Sequence, residues 1–278
     1  MQRESVGVGL VFGMLAAAAL THPAAAQTPS DKIASGSRLL VAAGKTFELR
    51  ALNGEASFLQ AQDEKVLVEY VADVPADVNV VALTTPDGVT VCTVYPSPDP
   101  KKTTECLPGG KGRLANGKIK DRSRVRFTIR IPSGVHVKAD MINGDLKSTG
   151  ITGNLRLDSN NGDVLVHDAG GPGTIDARVG LLGNVDVVIA AVQKGPALRL
   201  VNLEAIGSGR VRVAMPTTVT ASYDISTRQT AVIDKVFRVD KVKPPLLTGY
   251  IGSGGNSSDI RLMADTGIAG QFTLVPAK

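Results

Sequence analysis

The sequence predicts an all-β protein, built as a β-solenoid-like stack of short strand repeats. Three observations carry this expectation. Turn-forming residues are frequent, with 30 Gly and 15 Pro in 278 residues. Short segments alternate apolar and polar residues, the period of two that turns one face of a strand to a core. No window of 12 residues holds a clean helical stripe of apolar positions. An antiparallel β-sandwich or meander is the alternative architecture, because it shares the same spacing of strands and turns.

Residues 1–26 read as a signal peptide. Arg3 supplies a positive start, Val6 to Leu20 is an uncharged apolar run, and Ala24-Ala25-Ala26 forms a small-residue cleavage site before Gln27. The run is shorter than the roughly 20 residues that a spanning helix requires. Gln27 is not a cysteine, so lipid attachment is not expected, and no transmembrane segment is expected in the mature chain. The expected location is exported, either periplasmic or extracellular at the cell surface.

Residues 27–43 are polar and read as a flexible lead-in, followed by an N-terminal β region over 44–132. Phe47-Glu48-Leu49, Val66 to Tyr70, Val78 to Val81 and Val89 to Val94 are strands by their β-branched and aromatic content. Cys92 and Cys106 are the only cysteines, and in an oxidising compartment such a pair reads as one disulfide. It would close a Pro-rich polar loop, and loop-closure entropy puts its stabilisation at roughly 3 kcal/mol. Between Arg122 and Ile131, Val125, Phe127, Ile129 and Ile131 share one parity, while Arg122, Arg124, Arg126 and Arg130 share the other. A strand there has a core face and a guanidinium face.

Residues 133–276 read as glycine-punctuated β-strand repeats. Glycines at 144, 153, 162, 173, 183, 195 and 207 are mostly followed by alternating apolar pairs such as Leu155/Leu157, Val164/Val166 and Val185/Val187. Asn53-Gly54, Asn143-Gly144 and Asn161-Gly162 mark repeat turns, since Asn and Gly both tolerate positive φ. The two Asn-Gly-Asp units stand 18 residues apart, which suits two short strands per coil. Thr230 to Thr248 interrupts the pattern and Gly249 to Pro276 restores it.

These units resemble a known family. Leu52-Asn53-Gly54-Glu55, Ile142 to Leu146 and Asn160 to Val166 are similar to the strand repeats of the bacterial putative-adhesin family of exported proteins. Ile131-Pro132-Ser133-Gly134-Val135 resembles the step that opens the repeat block there. Val91 to Pro96 with Cys106 resembles a cysteine pair of some members, and Gly249 to Gly255 resembles the closing segment. The resemblance spans roughly residues 44–276. It implies a β-solenoid-like fold, export and no catalytic residues. Ala264-Asp265-Thr266-Gly267 departs from the turn usual in that family.

Catalytic signatures are absent from the sequence. His136 and His167 are the only histidines after the leader, and neither has a ligand-spaced partner. There is no nucleophile elbow and no phosphate loop. Asp158 to Asp163 does not match the spacing of a calcium loop. No cofactor and no metal site is therefore expected.

Charge is more informative. Residues 101–130 hold ten Lys or Arg against two acids, a local +8 that leaves −3 for the rest of the mature chain. Arg122, Arg124, Arg126 and Arg130, with Lys118 and Lys120, form the candidate polyanion-binding set. Acidic envelope polysaccharide, lipopolysaccharide or a surface partner are the expected ligands. Nucleic acid is not expected, because aromatic residues make up only 4% of the chain.

The leading expectation is an exported non-enzymatic envelope protein, an adhesin-like scaffold. The alternatives are a polysaccharide-acting enzyme on the same framework and a periplasmic sensor or regulatory partner. Protein recovered from an envelope fraction should begin at Gln27 by intact-mass measurement; a chain retained from Met1 in the cytoplasm would overturn the export reading.

Overall fold

A computed structural model describes residues 31–97, 99, 105–109, 123–168, 171–190, 199–237, 246–251, 260–267 and 269–277. Residues 1–30, which include the expected signal peptide, lie outside the described residues, as do Lys118, Lys120, Arg122 and Gly252 to Gly255. The first strands are β1 (Asp31–Lys32), β2 (Ser37–Leu39), β3 (Thr46–Gln60), β4 (Val66–Ala72), β5 (Asn79–Thr85) and β6 (Gly88–Val94). They are followed by β7 (Val125–Ile131), β8 (His136–Thr149), β9 (Leu155–Asn161), β10 (Val164–His167), β11 (Ile175–Leu182), β12 (Val185–Val188) and β13 (Arg199–Ala205). The last are β14 (Arg210–Met215), β15 (Ala221–Ser226), β16 (Ala231–Ile233), β17 (Leu246–Ile251), β18 (Ile260–Asp265) and β19 (Gln271–Pro276). One 3-10 turn, Pro75–Asp77, is the sole helical element among the described residues.

The class is all-β, as the alternation predicts. Pairing through the repeat block is parallel. In one arm β8, β9, β11, β13, β18 and β15 lie side by side; in the other β8, β10, β12, β14, β19 and β16 do. The long β3 and β8 run through both arms and pair from Thr46↔His136 to Leu59↔Thr149. Antiparallel pairs are confined to the two ends, among β1, β2 and β4–β7 and between β15 and β17.

Parallel stacking in register turns each inward position into an apolar column. Val137, Leu155, Ile175, Val201, Leu262 and Tyr223 succeed one another across the first arm. Leu146, Val164, Val185, Val211 and Phe272 do so across the second. All are buried and belong to one continuous core shared by both arms.

The Asn-Gly units act differently from hairpin turns. Gly54 and Gly144 lie inside β3 and β8, and Gly162 directly follows β9. Their φ values are 140°, 145° and 149°, so the positive φ is present at the glycines, whereas Asn53, Asn143 and Asn161 do not adopt it. The steps are corners where the chain passes from one arm to the other without reversing. A hairpin turn would reverse the chain and make its neighbour antiparallel. At these corners the coils touch backbone to backbone. A Cβ on Gly144 would stand 1.8 Å from the Gly54 carbonyl oxygen, and one on Gly162 would stand 2.1 Å from that of Gly144.

The asparagines seal the same corner. Asn143 Nδ2 donates to Asn53 Oδ1 at 3.0 Å, and Asn161 Nδ2 donates to Asn143 Oδ1 at 2.9 Å. The 18-residue coil predicted by the Asn-Gly-Asp spacing is the register of this step, and later steps lengthen to 21 and 26. Asp145 and Asp163, read from sequence as turn residues, each cap the next coil: Oδ1 accepts from Asp163 N at 2.9 Å and from Asn184 N at 2.8 Å.

Coil order departs from chain order at both ends. β6 and β7 follow β3 in sequence, yet β3 lies between them and β8. β18 and β19 come last, yet they insert between β13/β14 and β15/β16. The segment read as a lead-in is also paired, β1 with β5 and β2 with β4.

Gly144→Ala should lower stability by more than about 3 kcal/mol, because it combines a disfavoured φ with a backbone clash. Gly44 has φ +77° and nothing within 4 Å of an added Cβ, so Gly44→Ala should cost only about 1–2 kcal/mol. Urea denaturation of both variants checks this; equal losses would sink the close-approach account.

Candidate functional site: the outward charged faces

The strand period that buries one parity exposes the other, and in this chain the exposed parity is charged. On β7, Val125, Phe127, Ile129 and Ile131 are buried, while Arg126 and Arg130 face outward together with Arg124 just before the strand. The three arginine side chains are 50–59% exposed. Each has an acidic neighbour from a flanking strand or its end: Glu55 at 3.9 Å from Arg124, Asp73 at 3.2 Å from Arg126, and Glu69 at 3.9 Å from Arg130. A guanidinium has five donors, so one carboxylate neighbour leaves several open. The described part of the predicted basic set is thus a row of arginines interleaved with acids.

The first arm carries a second charged face. Glu48 and Arg50 on β3 pair in register with Lys138 and Asp140 on β8. Lys138 continues to Arg156 and Asp176, while Asp140 continues to Asp158, Arg178 and Glu204. Lys138 Nζ lies 2.8 Å from Glu48 Oε1 and 3.5 Å from Asp140 Oδ2. Arg178 Nε donates to Asp176 Oδ1 at 2.9 Å and lies 3.6 Å from Glu204 Oε2. Lys138–Glu48 and Arg178–Glu204 run between coils, so opposite charges meet across the ladder, while Lys138–Asp140 and Arg178–Asp176 join alternate residues of one strand.

Burial and neighbours shift the charges in both directions. Burial alone would raise the Glu48 carboxyl, but hydrogen bonds from Lys138, from the Gly109 N–H at 2.8 Å and from Thr90 Oγ1 at 2.9 Å outweigh it and hold its pKa below the ordinary range. Asp158 is pushed upward, first by burial and then by Asp140 beside it, against the pull of Arg156 and Arg178. Burial lowers the Arg50 pKa, with Asp140 and Glu48 opposing the shift.

Over β11, β13, β18 and β15 this face opens into a shallow groove of about 360 Å³. Asp176, Arg178, Glu204, Asp224 and Asp265 line it. Of the carboxylates there, Asp176 accepts from Arg178, Glu204 lies 3.6 Å from Arg178, and Asp265 Oδ1 accepts from the Gly267 N–H at 2.8 Å. In the second arm, Asp186 accepts from Arg212 at 2.9 Å. Asp158 to Asp163 do not converge on one point. Asp158 faces outward, Ser159 is buried and donates to the Gly144 carbonyl at 2.8 Å, and Asp163 caps the next coil.

A further ion pair lies within the stack. Arg199 is buried at the start of β13 and makes a bidentate contact with Asp168, with Nη2 to Oδ1 at 2.8 Å. Its Nε donates to the Gly173 carbonyl at 2.7 Å. The disulfide expected from sequence joins Cys92 on β6 to Cys106. Among the described residues, no helix is long and apolar enough to cross a membrane.

Glu48→Gln should lower stability at neutral pH by about 2 kcal/mol, since it removes charge-assisted hydrogen bonds in a buried place. Folding holds this carboxyl below its unfolded value. Its stabilisation is therefore complete above the ordinary carboxylate range and is lost as pH falls through the lowered folded value. Denaturation of wild type and variant across pH 2–7 should show their difference shrinking only in acid.

No family model matches the chain, and no curated protein matches it. Among solved structures it is similar to a putative cell adhesion protein from Clostridium sporogenes, at 15% identity and a TM-score of 0.49, over 90% of this chain and 100% of that one. It is also similar to a putative adhesin from Bacteroides fragilis, at 12% identity and a TM-score of 0.28, over 86% of this chain and 95% of that one.

Proposed function

We propose that this chain is an exported, non-enzymatic surface protein of adhesin type, a stacked β scaffold whose β7 face binds polyanions. The observation that carries the reading is the outward row of Arg124, Arg126 and Arg130 on a strand held rigid by neighbours on both sides, β3 and β4. Alternate residues of a strand stand about 6.5–7 Å apart, so one extended anionic chain spans the row. Arg suits bidentate contact with carboxylate, sulfate or phosphate. Lys118, Lys120 and Arg122 precede the row in sequence and share its sign of charge.

The non-enzymatic part rests on how the repeat carboxylates are used. Asp145 and Asp163 cap backbone N–H groups of the next coil, and Asp176 and Asp186 bond to arginines. A polysaccharide-cleaving site requires carboxyl groups free to act as acid and base or nucleophile. The disulfide, the leader and the family resemblance support export to an oxidising compartment, with acidic envelope polysaccharide or lipopolysaccharide as the ligand class.

Binding of purified mature protein to acidic glycans, lipopolysaccharide and anionic vesicles should be measurable at low salt and weaken steeply towards physiological salt. Replacing Arg124, Arg126 and Arg130 together by Ser should reduce it at least about tenfold while moving the melting temperature by no more than about two degrees, because exposed ion pairs contribute little to folding. A wild type that binds none of these at low salt would overturn the polyanion reading.

A further inference from the structure

Glu48 and Arg50 are charged residues on the outward face of β3, yet they are only 4% and 3% exposed. The five described residues 105–109 interact with both. Arg50 Nη1 donates to the Leu107 carbonyl at 2.8 Å, and the Gly109 N–H donates to Glu48 Oε2 at 2.8 Å. Cys106 stands next to Leu107 and is bonded to Cys92 on β6, the strand beside β3. A strap is thus tied across the outer face of the sheet, with two side chains gripping its backbone and one covalent bond holding it down.

The two ends of the excursion between β6 and β7 are anchored separately. Tyr95 is fully buried, and its hydroxyl donates to the Ser123 carbonyl at 2.8 Å. Ser123 Oγ in turn accepts from the Val74 N–H at 2.8 Å. Strand β6 is held on both sides, by β3 and β5, through backbone ladders that do not involve the cysteine sulfurs.

We propose that the Cys92–Cys106 disulfide is a redox latch on this strap: cutting it opens residues 105–109 as a local unit and leaves the coil stack folded. An external dithiol supplies the two electrons and two protons. The S–S bond breaks, Cys92 and Cys106 become thiols, and the dithiol becomes its own disulfide. The opened surface presents Glu48 and Arg50 two residues apart on β3, with Lys138 and Asp140 opposite them on β8. This donor-and-acceptor pair is suited to an extended peptide backbone, which is what the strap supplies when closed. The latch therefore controls access to a charged site that the oxidised protein keeps covered.

Hydrogen exchange on the full-length protein, oxidised and after treatment with dithiothreitol, tests this. The Cys92→Ser/Cys106→Ser double variant is run beside them. Reduction and the double substitution should each speed exchange at Gly109 by roughly a hundredfold, the scale set by loss of loop closure over 14 positions. Amides of Val137, Leu155 and Ile175 in the coil ladder should keep their rates. If alkylation shows both thiols free and Gly109 exchanges as before, the charge cluster alone holds the strap and the latch is refuted. If the coil amides accelerate together with Gly109, the disulfide is a staple of the whole fold and the proposal is equally overturned.

Discussion

Along one corner of the stack a carbonyl oxygen of one coil occupies the place where a Cβ of the next would stand. Gly54, Gly144, Gly162, Gly183 and Gly209 form this column, each resting on the carbonyl of the residue before it in the pile. Parallel coils must keep the strand spacing of about 4.8 Å through the bend as well as along the strands. Only a residue without a side chain permits that approach where the chain turns between arms. Much of the architecture follows. With the corners locked, the asparagine ladder, the aspartate caps and the apolar columns have one register available to them.

That register sorts the chemistry. A one-residue slip would turn every inward Val, Leu and Ile to solvent and bring Lys138, Asp140, Arg156 and Asp158 into the core. In the observed register the outward charges meet partners on the adjacent coil, as Lys138 meets Glu48 and Arg178 meets Glu204. The outward faces are mosaics of both signs. The polyanion binding proposed above would rest on the exposed guanidinium donors of Arg124, Arg126 and Arg130, each beside one acidic neighbour.

The ends of the stack obey a different logic. A parallel stack exposes an unpaired strand at each end, and such an edge templates unwanted pairing. Here β7 and β6 are covered at one end by the antiparallel strands β4 and β5, and β15 is covered at the other by β17. The inversions of coil order, β3 inside β6/β7 and β18/β19 inside β15/β16, bring segments distant in sequence into the ladder and close the chain on itself. The disulfide belongs to this end of the molecule, where it holds a strap over buried charges.

The all-β class, the coil of 18 residues at its first step, the cysteine pair and the core and guanidinium faces of β7 were legible in the sequence, because each depends on local period or spacing. The outward charge ladder was legible in part: Glu48 and Arg50, Lys138 and Asp140, Arg156 and Asp158, and Asp176 and Arg178 are opposite-sign pairs two residues apart, the spacing of one strand face. What that spacing could not tell was which pair faces which, since the answer lies 18, 20 or 90 positions away in the chain. The Asn-Gly units show the same limit. Their positive φ follows from residue type, but whether such a step reverses the chain or only bends it depends on the neighbour it stacks against. Coil order at the ends, the burial of Glu48 and Arg50 beneath residues 105–109, and the acidic partners beside Arg124, Arg126 and Arg130 were settled by the tertiary structure alone. All of them are contacts between segments whose separation carries no local signal.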